Sequence, residues 1–225
     1  MPFLGRQPTS VPLTSSDITD GIISTAKIAD DAVGNTKLDL TANYAFTGTV
    51  TGAGGLVKLL SATISSAVSE YDISSTYINS TYDTYLLQAH LFPATDSVNA
   101  YFRVFVGGSI QTGTIYAPEV AGRSSSNYSS SNGTEQFYFN TNAIGNATGE
   151  GIAYHLLMQN VNSTTAPFCY DGGSNVFNTS GSHNSHDLGG SLVVANVSNV
   201  VNGVRLYFNT GNIASGTVLL YGLVK

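Results

Sequence analysis

Apolar and polar residues alternate along much of the chain after Leu56. In Tyr85–Leu91 every second residue is apolar, and Gln88 and His90 fall on the opposite face. Ala100–Val106 repeats the pattern with the same period of two. Because successive side chains of a strand point to opposite sides of a sheet, each segment predicts a strand with one buried and one exposed face.

Further strands are predicted from the same alternation and from runs of β-branched and aromatic residues. They are Leu56–Ile64, Glu135–Phe139, Ile152–Val161, Ser191–Ala195, Val204–Phe208 and Thr217–Val224. Glycine pairs at 107–108, 172–173 and 189–190 predict turns between strands. About eight strands without a helical period predict an all-β fold, and we expect a two-sheet sandwich of jelly-roll type over residues 56–225.

The first part of the chain has a different period. The segment from Asp20 to Lys27 realigns with the segment from Asp30 to Lys37, ten residues later. Ten is neither the seven nor the eleven of a supercoiled helix, and an even period in extended chain keeps equivalent residues on one face. The apolar residues in this phase are Ile18, Ile28 and Leu38 on one face and Ile23 and Val33 on the other.

A single extended chain cannot bury these apolar residues by itself, so we predict that residues 18–46 form an oligomerisation stalk in which they make a seam between chains. The alternative is a flexible linker whose repeat is accidental. Residues 1–17 are punctuated by proline and predict an extended anchoring segment that lies along a partner surface. The anchoring residues are Pro2, Phe3, Leu4, Gly5, Arg6, Gln7 and Pro8. Residues 47–55 are rich in Gly and Thr and predict a hinge before the head.

Charge and composition exclude several classes of function. The net charge is -6, and the eight Lys and Arg are scattered, so no basic stripe is available for nucleic acid. No apolar run is long enough to predict insertion into a membrane. A single Cys cannot form a disulfide within the chain, so we expect oligomerisation to supply robustness instead.

Motifs for chemistry are sparse. The spacing of His183 and His186 can chelate a metal, but without Cys partners or a third His we expect exposed loop histidines and neither metal nor cofactor. His90 and His155 alternate with apolar residues and are expected to face solvent or an interface. No Gly-x-Ser-x-Gly motif occurs, and acidic residues for glycoside hydrolysis are few. We therefore expect a protein that is not an enzyme.

Two stretches rich in Ser, Asn, Gly and Tyr, at 121–133 and 170–188, predict long loops. This mixture of adaptable hydrogen-bonding and flat aromatic residues is typical of recognition loops, although plain solvated loops are the alternative. The candidate receptor residues are Arg123, Asn127, Tyr128, Tyr170, Asp171, His183 and His186.

The segment from Ile18 to Val33, with Lys37-Leu38 and the stretch from Tyr44 to Val50, resembles the N-terminal repeats of fibre-like structural proteins, including tail fibres, of tailed bacteriophages, especially marine ones. Residues 202–222 are similar to the last hairpin of jelly-roll heads on such fibres. The resemblance implies a homotrimer in the virion, assembled in the host cytoplasm and fixed to other tail or capsid proteins by its N-terminus.

From the resemblance we expect a fibre subunit whose outward head adheres to a polysaccharide of the host surface. One alternative is a fibre or cement protein that decorates the capsid and binds no receptor. A less favoured alternative is a polysaccharide depolymerase.

Overall fold

The computed structural model describes residues 55–123, 128–193, 195 and 198–224. Within these residues the chain forms thirteen strands. They are β1 (Leu56–Ile64), β2 (Glu70–Ile73), β3 (Tyr85–Pro93), β4 (Ala100–Val106), β5 (Ser109–Ile110), β6 (Tyr116–Gly122), β7 (Tyr128–Ser130), β8 (Phe137–Tyr138), β9 (Gly151–Gln159), β10 (Cys169–Phe177), β11 (His183–Leu192), β12 (Val201–Phe208) and β13 (Ile213–Leu223).

The strands form two antiparallel sheets. The larger has eight strands in the order β1-β13-β3-β9-β10-β11-β6-β7. The smaller contains β2-β12-β4-β5, and β8 pairs with β4. The all-β sandwich predicted from the alternating pattern is confirmed.

Setting aside β5–β7 and β10–β11 leaves eight strands in the orders β1-β13-β3-β9 and β2-β12-β4-β8. Counted along the chain, these orders are first-eighth-third-sixth and second-seventh-fourth-fifth, which is the double Greek key of a jelly roll. The five other strands come from two insertions, one between β4 and β8 and one between β9 and β12. The insertions pair with each other through β6 and β11 and widen the larger sheet by four strands, β10, β11, β6 and β7, which we call the wing.

The core lies between the sheets and is rich in aromatic rings. Phe102 of the smaller sheet stacks on Phe137 and Phe139, with ring centroids 4.5 and 5.0 Å apart. Tyr170 of the wing packs edge-on against Phe102 at 5.0 Å, and Tyr154 of β9 stacks on Phe139 at 4.1 Å. Aromatic pairs add about 0.5–1.5 kcal/mol beyond the area they bury, so these rings hold the wing to the jelly roll.

The prediction of long loops at 121–133 and 170–188 was wrong wherever the strands of the wing lie. Residues 169–177 and 183–192 are paired strands, and β7 begins at Tyr128. The glycines at 172–173 and 189–190 lie within strands and do not form the predicted turns. A Cβ on Gly190 would stand 2.7 Å from the ring of Tyr170, so close packing and not a turn requires glycine there.

The strand predicted at Ser191–Ala195 is confirmed only for Ser191 and Leu192, since β11 begins at His183 and ends at Leu192. The predicted anchor Pro2–Pro8, the predicted seam from Ile18 to Leu38, and Asn127 lie outside the described residues.

Candidate functional site

A shallow depression lies on the outer face of the larger sheet, where β13, β3, β9 and β10 run side by side. Its volume is about 290 Å³. Its outward side chains come from four neighbouring strands, of which only β9 and β10 are consecutive in the chain. They belong to Gln88, His90, Ala153, His155, Asn175, Thr217 and Leu219.

The register of the strands explains the hollow. Ala153 on β9 lies opposite His90 on β3 and opposite Asn175 on β10. Neighbouring strands are about 4.8 Å apart, so the backbones that carry the two flanking side chains stand roughly 10 Å apart across the methyl group of Ala153. One step along β9, His155 lies opposite Gly173, and a Cβ on that glycine would meet the imidazole Cε1 at 3.2 Å. Small residues therefore form the floor and larger polar ones the walls.

Asn175 is held in one orientation by its neighbours on β11. Its Oδ1 accepts a hydrogen bond from the hydroxyl of Ser185 at 3.0 Å and lies 3.0 Å from His183 Nε2, which donates to it in the tautomer that carries the proton on Nε2. In that tautomer two donors converge on the same oxygen, and they hold the amide with its nitrogen directed away from β11. Within the part of the chain that the structure describes, the Asn175 amide nitrogen has no hydrogen-bond partner, so it can donate to a ligand.

Aromatic rings border the depression at one end. Phe92 packs against the ring of His90 at a centroid distance of 4.4 Å. Phe177, which is 43% exposed, packs against His183 at 5.5 Å. Polar groups beside the exposed ring of Phe177 and the half-buried ring of Phe92 suit a ligand that has both apolar faces and hydrogen-bonding edges.

None of the side chains that line the depression carries a permanent charge. Acidic residues lie further along the outer face of the wing, where Asp171 is exposed and Glu119 accepts a hydrogen bond from the Tyr128 hydroxyl at 2.8 Å. Asp187 pairs with Arg123, whose Nε donates to the Asp187 carboxylate at 2.7 Å. Hydrogen bonding to this guanidinium lowers the pKa of Asp187 and raises that of Arg123.

The structure separates the residues predicted from the sequence as a receptor site. Arg123, Tyr128, Asp171 and His183 are on the outer side of the wing. Tyr170 points into the core and is 4% exposed. The two histidines, three residues apart on β11, fall on opposite faces of the strand, so they cannot form the chelating pair that their spacing would allow.

His186 was predicted to be exposed, but it is 1% exposed in the core. Ser174 donates its hydroxyl hydrogen to the Phe139 carbonyl at 2.6 Å, so its oxygen accepts from His186 Nδ1 at 3.3 Å. His186 Nε2 then accepts from the Thr141 hydroxyl at 3.1 Å. Burial, with a smaller contribution from the charge of His183, lowers the pKa of His186, so the ring is held neutral.

A second cavity, of about 520 Å³, lies at the edge of the wing beside β6 and β7. Its outward side chains include Glu119, Ser130 and Asn132. β7 has only three residues, and the Glu119 carboxylate is already bonded to Tyr128. The depression is the stronger candidate because long strands on both sides fix its walls.

Much of the outer face of the smaller sheet is covered by its own side chains, with a cavity of about 170 Å³ beside Asp72, Phe105 and Asn202. Tyr101 contacts Tyr138 and Tyr207 in a ladder with ring centroids 5.3 and 5.7 Å apart. The guanidinium of Arg103 lies 5.4 Å above the Tyr207 ring. Burial raises the pKa of Tyr207 to about 12, and its hydroxyl has no hydrogen-bond partner among the described residues.

Arg205 is the centre of an ion-pair network on this same face. Its Nε and Nη2 donate to the two carboxylate oxygens of Asp72, each at 2.7 Å. Its Nη1 lies 2.9 Å from Glu70, and its guanidinium covers the Phe105 ring at 5.6 Å. The hydrogen bond to Asp72 is the main cause of the raised pKa of Arg205.

Sequence reasoning missed most of the depression. The alternation around His90 and His155 indicated that both side chains face outward, as they do. Ala153 and Asn175 gave no signal of their own, because their importance comes from the register that places them opposite each other.

No helix in the described part of the chain has the length and apolar character needed to cross a membrane. The described residues also contain no group of three or more His, Cys, Asp or Glu side chains that could hold a metal ion. Comparison with protein-family models, with curated proteins and with solved structures finds no match.

Proposed function

We propose that this protein is a bacteriophage virion fibre subunit whose jelly-roll head binds a polysaccharide of the host surface through the outer face of the larger sheet. The observation that carries the adhesion role is the depression over Ala153, which combines hydrogen-bonding walls with bordering aromatic rings. The position of this depression on a sheet widened by two mutually paired insertions also supports the proposal, since such a face is broad enough for a polymer.

The chemistry of the depression fits a sugar. A pyranose ring presents C–H groups on its faces and hydroxyl groups around its edge. Gln88, His90 and Asn175 supply donors and acceptors for the edge, and Phe92 and Phe177 supply apolar ring surface. Amide and imidazole groups can serve as donor or acceptor, which matches the dual character of a hydroxyl.

The lining of the depression supports binding in preference to cleavage. Glycoside hydrolysis generally uses two carboxyl groups on either side of the scissile bond, about 5–9.5 Å apart. No carboxyl group is among the side chains that line the depression. Ser174 and His186, although hydrogen-bonded, are buried and joined to a backbone carbonyl, so neither is placed to attack a ligand.

The virion assignment rests on the resemblance of residues 18–50 to phage fibre repeats. A stalk that joins three chains would present three depressions on one fibre. Linked weak sites bind a polymer far more tightly than one site does, because the later contacts form at a high effective concentration. A shallow site is therefore adequate for adhesion.

The test uses the full chain on an array of bacterial capsular and lipopolysaccharide glycans. We expect retention on at least one glycan and, for Gln88→Ala, a loss of affinity of about two- to tenfold, since one hydrogen bond contributes roughly 0.5–1.5 kcal/mol. Gln159→Ala is the matched control, because Gln159 is exposed on the same face but does not line the depression.

Each other outcome selects a different function. If no glycan is retained, the adhesion proposal is wrong and a capsid-decorating role is favoured. If the array glycans release oligosaccharides, the protein is a depolymerase. If Gln159→Ala weakens retention as much as Gln88→Ala, the binding site is elsewhere on the face.

A further inference from the structure

We infer that the space above Ala153, between His90 and Asn175, is a subsite for one uncharged pyranose residue, and that Asn175 determines its specificity as a hydrogen-bond donor. This inference rests on the proposed function, since it names the sugar class and the recognising group within the same depression. Three observations support it: the size of the space, the fixed amide and the absence of charge.

The size of the space fits one sugar residue. Its floor is a single methyl group, and its walls stand on the two strands that flank β9. The whole depression, at about 290 Å³, lies just below the roughly 300–1,000 Å³ typical of small-ligand sites. A longer glycan would therefore place one residue here and extend its other residues across the open face.

The fixed amide selects for a hydrogen-bond acceptor. His183 and Ser185 both bond the Asn175 oxygen, so the oxygen is not available to a ligand in this orientation. The amide nitrogen keeps its two N–H donors. A sugar bound here must place a hydroxyl or carbonyl oxygen against this nitrogen, because an unmet donor would lose its bonds to water on binding.

The charges on this face disfavour acidic sugars. No lining side chain carries a permanent charge that could pair with a carboxylate. On the neighbouring wing, the carboxylates of Asp171, Glu119 and Asp187 outnumber the single guanidinium of Arg123. An anionic sugar would therefore find no permanent cation among the lining side chains and would approach the carboxylates of the wing.

The experiment measures saturation-transfer NMR on the full chain with the methyl pyranosides of glucose, galactose, mannose and N-acetylglucosamine, and with methyl glucuronide as the acidic probe. We expect transfer to at least one uncharged pyranoside and none to the glucuronide. Ala153→Leu should abolish transfer by filling the floor. The control Ala121→Leu alters the same outer face on β6 and should leave transfer unchanged, with folding of both variants checked by urea denaturation.

Asn175→Asp tests the donor directly. The aspartate keeps an oxygen for His183 and Ser185 but replaces the N–H donors with a second acceptor, so we expect at least a tenfold loss of affinity. Asn175→Gln keeps the N–H donors on a longer side chain, so it should lose less affinity than Asn175→Asp does.

The outcomes separate this inference from the proposed function. Equal binding of glucuronide and uncharged pyranosides would overturn the sugar class, and full affinity in Asn175→Asp would overturn the donor role. If the array glycan is still retained by Ala153→Leu, the subsite is wrong and adhesion stands. If wild-type protein retains no glycan, both proposals fail.

Discussion

The two outer faces of the sandwich use their side chains in opposite ways. On the smaller sheet, Arg205 is bonded to Asp72 and Glu70 and covers the ring of Phe105, so these charged groups satisfy one another. On the larger sheet, small residues such as Ala153 leave a hollow between polar walls. The difference teaches that the charged groups of the smaller sheet stabilise the fold, whereas the larger sheet leaves polar groups at a hollow, where the proposed ligand would bind.

Substitution of one glycine on each face should give the largest difference in the free energy of unfolding. A Cβ on Gly203, on the smaller sheet, would stand 2.8 Å from the Ile73 carbonyl oxygen and 3.1 Å from the Phe105 ring. Gly203→Ala should therefore lower the free energy of unfolding by about 1–3 kcal/mol. Gly189, on the outer side of the wing, has only one atom within reach, the Tyr170 carbonyl oxygen at 4.0 Å. Gly189→Ala should be neutral or slightly stabilising.

Urea denaturation of both glycine variants measures the contrast. A Gly189→Ala variant that is as unstable as Gly203→Ala would show that the larger sheet is as closely covered as the smaller one.

Two arginine–aspartate pairs give the next contrast. Arg205→Ala removes the bidentate pair with Asp72, the contact with Glu70 and the cover over Phe105. We therefore expect the free energy of unfolding to fall by about 1–2 kcal/mol. Arg123 is 60% exposed and its partner Asp187 is 57% exposed, so water replaces this pair at little cost. Arg123→Ala should leave the urea midpoint unchanged. Equal shifts in the two midpoints would contradict the different roles assigned to the faces.

The smallest expected effect is a dependence on pH that is confined to the wing. His186 has a lowered pKa in the folded protein, so the unfolded chain binds this proton more readily. Stability should therefore fall as the pH decreases from about 6.5, the value for a free histidine, towards the lower folded pKa, and should be unaffected above that range. Protonation of Nε2 would also turn an acceptor for Thr141 into a donor.

The comparison of wild type with His186→Gln at pH 7.5 and 5.5 isolates this contribution, because the carboxylates titrate equally in both. We expect a smaller loss of stability on acidification in the variant. Hydrogen exchange, corrected for the intrinsic effect of pH, should increase in β10 and β11 and remain constant in β4 and β12. An identical pH dependence in both proteins would exclude His186 as the cause.

The sequence predicted the jelly roll because β3 and β4 alternate strictly, and their buried and exposed faces are those expected from the pattern. It failed in the wing, where glycines were interpreted as turns. Gly190 is required by the Tyr170 ring that lies over it, and such a contact between neighbouring strands leaves no local signal in the sequence.

The site was harder to predict than the fold. His90 could be placed on an outer face from its own strand alone. Its approach to Asn175 depends on how β3, β9 and β10 align, and the alignment of strands that are distant in sequence is set by the packing of the whole sheet. The orientation of the Asn175 amide depends further on the β10–β11 hairpin, which the sequence pattern did not reveal.

The pairing of β6 with β11 has a consequence for engineering this head. Each insertion covers a sheet edge that the other would leave open, and an unpaired edge of this length invites aggregation. Removing either insertion alone would expose a strand of seven or more residues. The two segments form a single transferable cassette, and a graft that gives this head a new binding face must move both together.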